Sequence, residues 1–121
     1  MSYRDLEIFK ESKRLALLVH AMSLRLPKFE LYEEGSQIRR SSKSVASNIV
    51  EGHGRKRYKA EFIRYLIVAH AECDETLLHL AFLEESGSAT DVKQMRMEYE
   101  ILSKKIYTYI NWVEENFQPK Q

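Results

Sequence analysis

Apolar residues recur every three or four positions through four stretches of this chain, and only short breaks marked by Pro27, Gly52, Gly54 and Gly87 part them. That period stacks apolar side chains on one helix face and gives a strand nothing to alternate. The first stretch carries Ile8, Leu15, Val19, Met22 and Leu26, with Ser12 in the missing place. The second carries Ile38, Ser42, Val45 and Ile49 among the small residues Ser41, Ser44, Ala46 and Ser47, which suit close helix approach. The third has two adjacent stripes. One runs through Phe62, Leu66, Ala69, Cys73, Thr76, Leu80 and Leu83; the other through Ile63, Ile67, His70, Leu77 and Ala81. The fourth repeats as Val92, Met95, Tyr99, Leu102, Ile106, Tyr109 and Val113.

These patterns predict helices over about residues 5–26, 34–51, 57–86 and 90–116. Ser2 with Asp5, and Ser88 with Asp91, resemble capping boxes. Pro27 ends the first helix, because proline cannot extend the hydrogen-bond ladder. Gly52 and Gly54 mark the end of the second, Gly87 caps the third, and Pro119 lies past the fourth. Short connections make consecutive helices pack antiparallel. The expected fold is all-α, a single-domain up-down-up-down four-helix bundle spanning residues 1–121.

At 121 residues the chain is long enough to bury a core without disulfides or metal. Cys73 is its single cysteine, so no internal disulfide forms and a reducing cytoplasm is expected. No apolar run nears the roughly 20 residues of a membrane span, and MSYRDLEIFK lacks the apolar core of a secretory leader. Reaction chemistry is sparse. Gly52-His53-Gly54-Arg55 is neither a P-loop nor a dinucleotide fingerprint. Glu72, Glu75 and His79 lack the second Glu-x-x-His motif that a di-iron bundle needs. Cys73 has His70 one turn away, yet both lie on inward faces, where cysteine acts as a small hydrophobe. No catalytic residue, cofactor or metal is assigned.

Charge is the strongest functional signal. Between Ser36 and Arg64 stand eight basic residues, Arg39, Arg40, Lys43, Arg55, Lys56, Arg57, Lys59 and Arg64, against only Glu51 and Glu61. Such a cluster attracts phosphate backbones through counterion release, and Tyr58 within it can stack on a base. The competing reading is a solvated face whose charges pair with acids of this chain or of an acidic protein partner. Tyr99, Tyr107, Tyr109 and Trp112 crowd the fourth helix. With the wide apolar arc of the third they suggest a self-association surface; the alternative is that they complete the monomer core.

The blocks Ser36-Gln37-Ile38-Arg39-Arg40, Ser47-Asn48-Ile49 and Glu51-Gly52-His53-Gly54-Arg55 resemble the signature of the bacterial four-helix bundle proteins known as 23S rRNA intervening sequence proteins. Asp5-Leu6-Glu7-Ile8-Phe9, Pro27, Tyr32, Phe62, Arg64-Tyr65-Leu66 and Ala69 extend the resemblance over nearly the whole chain. It implies a cytoplasmic homopentameric barrel, related to accessory proteins of diversity-generating retroelements that engage nucleic acid and a reverse transcriptase. Lys43, Ala46 and Glu34-Gly35 depart from the family pattern. In the signature, Asn48 and Glu51 either bind a ligand or lock the turn with Gly52 and Gly54; the turn role is expected. The combined expectation is a non-enzymatic homo-oligomeric scaffold that binds RNA or DNA through its basic face, with a protein-only scaffold as the alternative.

Overall fold

In a computed structural model, which describes residues 1–118, the chain forms four long helices and two short ones, with no strand among the described residues. A single 3-10 turn, Tyr3–Asp5, precedes α1 (Glu7–Ser23), α2 (Lys28–Leu31), α3 (Glu34–Gly54), α4 (Lys59–Glu85) and α5 (Lys93–Asn116). The expected position of Pro119 lies outside the described residues.

The apolar stripes become the core. Ile38, Val45, Ile49, Leu66, Leu80, Leu83, Ile106 and Val113 are fully buried, and Ser12, Ser42 and Thr76 fill the polar gaps in their stripes. Each large aliphatic side chain removed from water stabilises the fold by about 1.5–3 kcal/mol. Ile110, outside the fourth stripe, joins this core. α3 neighbours α1 and α4, and α5 closes the bundle against both α4 and α1. Along the α3–α4 seam Glu34 meets His79, Arg40 meets Glu72 and Glu75, and Gly52 meets Phe62. Small residues set that seam: Ser41 and Thr76 share a buried hydrogen bond of 2.8 Å.

Several boundaries moved. Ser2 and Asp5 do form a capping box, but on the 3-10 turn; Leu6, at ψ 128°, breaks the chain before α1 begins. α1 stops at Ser23, and Pro27 starts α2 instead of ending α1, its fixed φ of −52° suiting a helix start. Ser88 and Asp91 cap nothing: α5 opens after Val92 without a side-chain cap, and the Ser88 hydroxyl donates to buried Glu30 at 2.8 Å. Gly87 does follow α4, at φ +80°.

Gly52 and Gly54 are not turn glycines. Both belong to α3, and neither has positive φ. A Cβ on Gly52 would meet the Phe62 carbonyl oxygen and the Tyr65 Cβ, each at 3.1 Å, so Gly52 permits close approach of α4. Gly54 faces open space. Gly35 is tighter still: a Cβ there would lie 2.8 Å from the Glu30 carbonyl oxygen.

Candidate nucleic-acid interface

The eight basic residues reach very different surroundings. Arg39 is half-buried, donating to the Leu31 carbonyl at 2.8 Å and to the Ser23 hydroxyl at 3.0 Å. These two bonds tie the α1–α3 connection together and turn the half-buried guanidinium toward the protein, which sets Arg39 apart from the exposed cations of the segment. Arg40 pairs across the seam with Glu72 at 3.1 Å and Glu75 at 2.9 Å. Those carboxylates hold its guanidinium further toward the charged form. The Glu75 carboxyl lies below its ordinary range, with the adjoining Glu72 carboxyl the largest influence and the hydrogen bonds from Arg40 and His79 after it, against an opposing desolvation.

At the α3–α4 turn, Arg55 pairs with Glu51 at 3.3 Å and Glu61 at 3.7 Å, and Arg64 with Glu61 at 2.7 Å. Both guanidiniums lie over the Tyr65 ring, at 4.9 and 4.5 Å from its centre. Arg64 depresses the Glu61 carboxyl. Lys59 donates to the Glu114 carbonyl at 2.7 Å, near the negative end of α5. The Lys56 ammonium lies 3.4 Å from the Met1 carbonyl and 3.3 Å from His53 Nε2. An ammonium only donates, so that imidazole nitrogen accepts, which requires neutral His53. Burial, then the Lys56 charge, lowers the His53 pKa accordingly. Lys43 and Arg57 are exposed and make no ion pair among the described residues.

Of the signature residues, Glu51 pairs with Arg55 as expected. Asn48 does not cap α3 or bind an arginine. Its amide donates to the Ser44 carbonyl at 2.9 Å and hydroxyl at 3.0 Å, one turn back along the helix.

The aromatic residues of α5 divide. Tyr99 is fully buried in the monomer core, which removes it from any self-association surface: its ring falls on the stripe between α4 and α1. Burial raises its pKa, and its hydroxyl has no hydrogen-bond partner of good geometry; Ser42, the side chain that bears on it, donates instead to the Arg39 carbonyl. Tyr109 is half-buried and stacked on Trp112 with ring centres 5.9 Å apart. Tyr107 and Trp112 are exposed.

Two features escaped the sequence reading. His70 Nε2 lies 3.1 Å from the Ser103 hydroxyl, and His70 Nδ1 lies 3.8 Å from Asp74, with Ser103 also 3.3 Å from Asp74. The order of groups is that of a hydrolase triad, but the His–Asp distance exceeds a hydrogen bond and Ser103 contacts Asp74 directly. Ser103 and His70 are mid-helix, where backbone N–H groups are already bonded and offer no oxyanion hole. The second feature is a cavity of about 740 Å³ beside the α3–α4 turn, walled by Phe62, Tyr109, Trp112 and Phe117 and edged by Lys56, Lys104 and Lys105. The Lys104-Lys105 doublet was its one visible trace in the sequence.

Cys73 is buried, and burial followed by the charges of Asp74 and Glu100 pushes its thiol up to about 12, far from a nucleophilic thiolate at neutral pH. No group of three metal-ligating side chains occurs among the described residues, and no described helix is long and apolar enough to cross a membrane.

The described residues thus form an all-helical bundle with a basic turn beside an aromatic cavity. Residues 4–108 match the profile of the 23S rRNA-intervening sequence protein family, and the chain belongs to that family. A crystal structure of a protein with unknown function from the S23 ribosomal protein family of Bacteroides thetaiotaomicron superposes with a TM-score of 0.67. It is 23% identical, over 90% of this chain and 99% of that one, and at that identity it speaks for the fold alone. No curated protein matches the chain.

Proposed function

We propose that the protein is a non-enzymatic, cytoplasmic homo-oligomeric scaffold that contacts the phosphate backbone of nucleic acid through the basic surface of α3, the α3–α4 turn and the start of α4. The observation that carries the reading is a pair of uncovered apolar faces. α1 leaves Leu17 and Leu18 exposed, with Leu24 just past its end, and α4 leaves Ile67, Val68, Leu78 and Phe82 exposed. α1 and α4 stand across the bundle from one another, each neighbouring α3 and α5. An isologous dimer needs one patch; two different patches on opposite corners suit a head-to-tail interface that closes into a ring. The ring of five implied by family resemblance is one such closure. The seam contacts, running from Glu34–His79 to Gly52–Phe62, support the antiparallel up-down-up-down order that places the two faces so.

Within the basic segment, Arg57 and Lys43 lead the phosphate contact, with Lys56, Lys59 and exposed Tyr58 beside Arg57. Arg55 and Arg64 are held by exposed ion pairs and by the Tyr65 ring, and exposed pairs are weak enough for a phosphate to displace. Arg40 joins with more difficulty, since it must leave two carboxylates. Repetition around a ring multiplies a weak contact.

Light scattering on Ile67→Glu, Leu78→Glu and Leu17→Glu tests the assembly. Loss of mass with helical content intact, from either face alone, is the expected result; unchanged mass in all three refutes it. Titration of labelled RNA and duplex DNA across a salt series then tests the turn. Arg57→Glu with Lys43→Glu should weaken binding and flatten its salt dependence. An intact oligomer that binds neither polymer at low salt would point to an acidic protein partner.

A further inference from the structure

The cavity beside the turn shares only Lys56 with these contacts, and its chemistry is two-sided. Its walls are apolar: Leu6 and Ile8 from the start of the chain, Phe62 from α4, Tyr109 and Trp112 from α5, and Phe117 just beyond. Phe62 meets Phe117 and Tyr109 edge-on, at ring-centre distances of 5.2 and 6.3 Å, so the walls are braced against one another. At about 740 Å³ it lies within the 300–1,000 Å³ typical of small-molecule sites.

Its edge is cationic. Lys56, Lys104 and Lys105 surround it, and the one acid present, Glu7, is already bound by Lys105 at 2.7 Å. That bond, with the Lys105 charge, holds the Glu7 carboxyl below its usual range, so Glu7 stays charged and spends its charge on Lys105. Lys104 is exposed and makes no ion pair among the described residues. Lys56 donates only to neutral acceptors, the Met1 carbonyl and His53. Two ammonium groups are therefore uncompensated above an aromatic floor.

We propose that this cavity is a binding site for a small amphipathic anion, with an aromatic or acyl body and one carboxylate-type head group. The body displaces water from Phe62, Tyr109, Trp112 and Phe117, and the head group takes Lys104 and Lys56. Few polar atoms line the floor, so the site selects charge and bulk rather than a hydrogen-bond pattern.

Trp112 is the chain's one tryptophan and lies in the wall, so its emission reports occupancy directly. Full-length protein is titrated with decanoate, with 1-naphthoate and with the uncharged decanamide. Saturable binding of one anion per chain is expected, with decanamide about tenfold weaker, the scale of a single partly desolvated charge contact. The stronger of the two anions identifies the body as acyl or aromatic. Lys104→Glu should weaken the anions by a similar factor and leave decanamide unchanged. Thr108→Phe, at an exposed lining position, should block all three while leaving the thermal midpoint in place. Equal affinity for decanoate and decanamide, or anion binding untouched by both variants, overturns the proposal. A fall in oligomer mass with Thr108→Phe, without ligand binding in the parent, would show that a second copy fills the cavity and would equally overturn it.

Discussion

Two glycines two residues apart on α3 offer a controlled test of how the bundle is spaced. Gly→Ala at either removes backbone freedom from the unfolded chain and adds helix propensity, worth about 0.5–1 kcal/mol when the new methyl meets nothing. At Gly54 it meets nothing within 4 Å, and φ there is not positive. At Gly52 the methyl meets a carbonyl oxygen and a Cβ of the next helix, each at 3.1 Å. Neither atom can rotate away, so α4 itself must shift by a few tenths of an ångström. Overpacking of this kind costs about 1–3 kcal/mol. Gly54→Ala should therefore stabilise by about 0.5–1 kcal/mol, and Gly52→Ala should destabilise by about 1 kcal/mol after its propensity gain is subtracted. The two variants are expected about 2 kcal/mol apart, or roughly 8 °C in thermal midpoint for a chain of this size. Circular dichroism melts at one fixed protein concentration measure this, because assembly makes the midpoint concentration-dependent. Equal stabilisation by both would refute the claim that Gly52 sets the α3–α4 distance.

Arg39→Ala should destabilise by about 1–3 kcal/mol in denaturant titration, since it strands the Leu31 carbonyl in a part-buried connection, while leaving nucleic-acid affinity unchanged. Tyr99→Phe removes a buried hydroxyl lacking a good partner and should shift the denaturation midpoint by no more than about 1 kcal/mol, in the stabilising direction. Glu75 has a depressed folded pKa, so its contribution is present above its ordinary value of 4.5 and is lost as pH falls below that. The stability difference between the parent and Arg40→Ala should accordingly close on acidification; a gap constant down to pH 2 would contradict the pairing. Cys73 should resist thiol reagents at pH 8 until the protein is unfolded, and rapid labelling of the native protein would contradict its burial.

What could be read in advance followed from periodicity. Ile38, Ser42, Val45 and Ile49 sit on one stripe, and all four are buried. The same logic failed where a residue's meaning depends on a neighbour distant in sequence. Gly52 near a helix end reads as a turn, because nothing local reveals the Phe62 carbonyl against it. Arg39 and Arg57 read alike as cations; only the fold gives one a part-buried carbonyl and leaves the other in water. Tyr99 and Trp112 are both aromatics of α5, but 13 residues of helix turn them to different faces, and only Tyr99 lay on the heptad stripe. The second stripe of α4 was half correct: Ile63 and Leu77 pack against the core, while Ile67 is exposed beside Val68, Leu78 and Phe82, which that stripe did not include. The cavity had almost no local trace, since its walls come from both ends of the chain and from α4 and α5.

The hydrogen bonds of the connections give the bundle two unlike ends. At one, Arg39 joins Ser23 to Leu31, Glu30 receives Ser88, and Glu34 meets His79 at 2.5 Å. The α1–α3 connection and the α4–α5 loop are thereby fastened to each other, so neither can open without the other. At the far end the Lys56 and Lys59 contacts to backbone carbonyls are exposed, and the aromatic hollow lies among them. Amide hydrogen exchange should divide the molecule accordingly. The fastened loops should exchange as one cooperative unit, and opening should start at the opposite end, travelling up the helices from the hollow. Entry of a guest and the first step of unfolding would then share the same motion, and a bound guest would slow both.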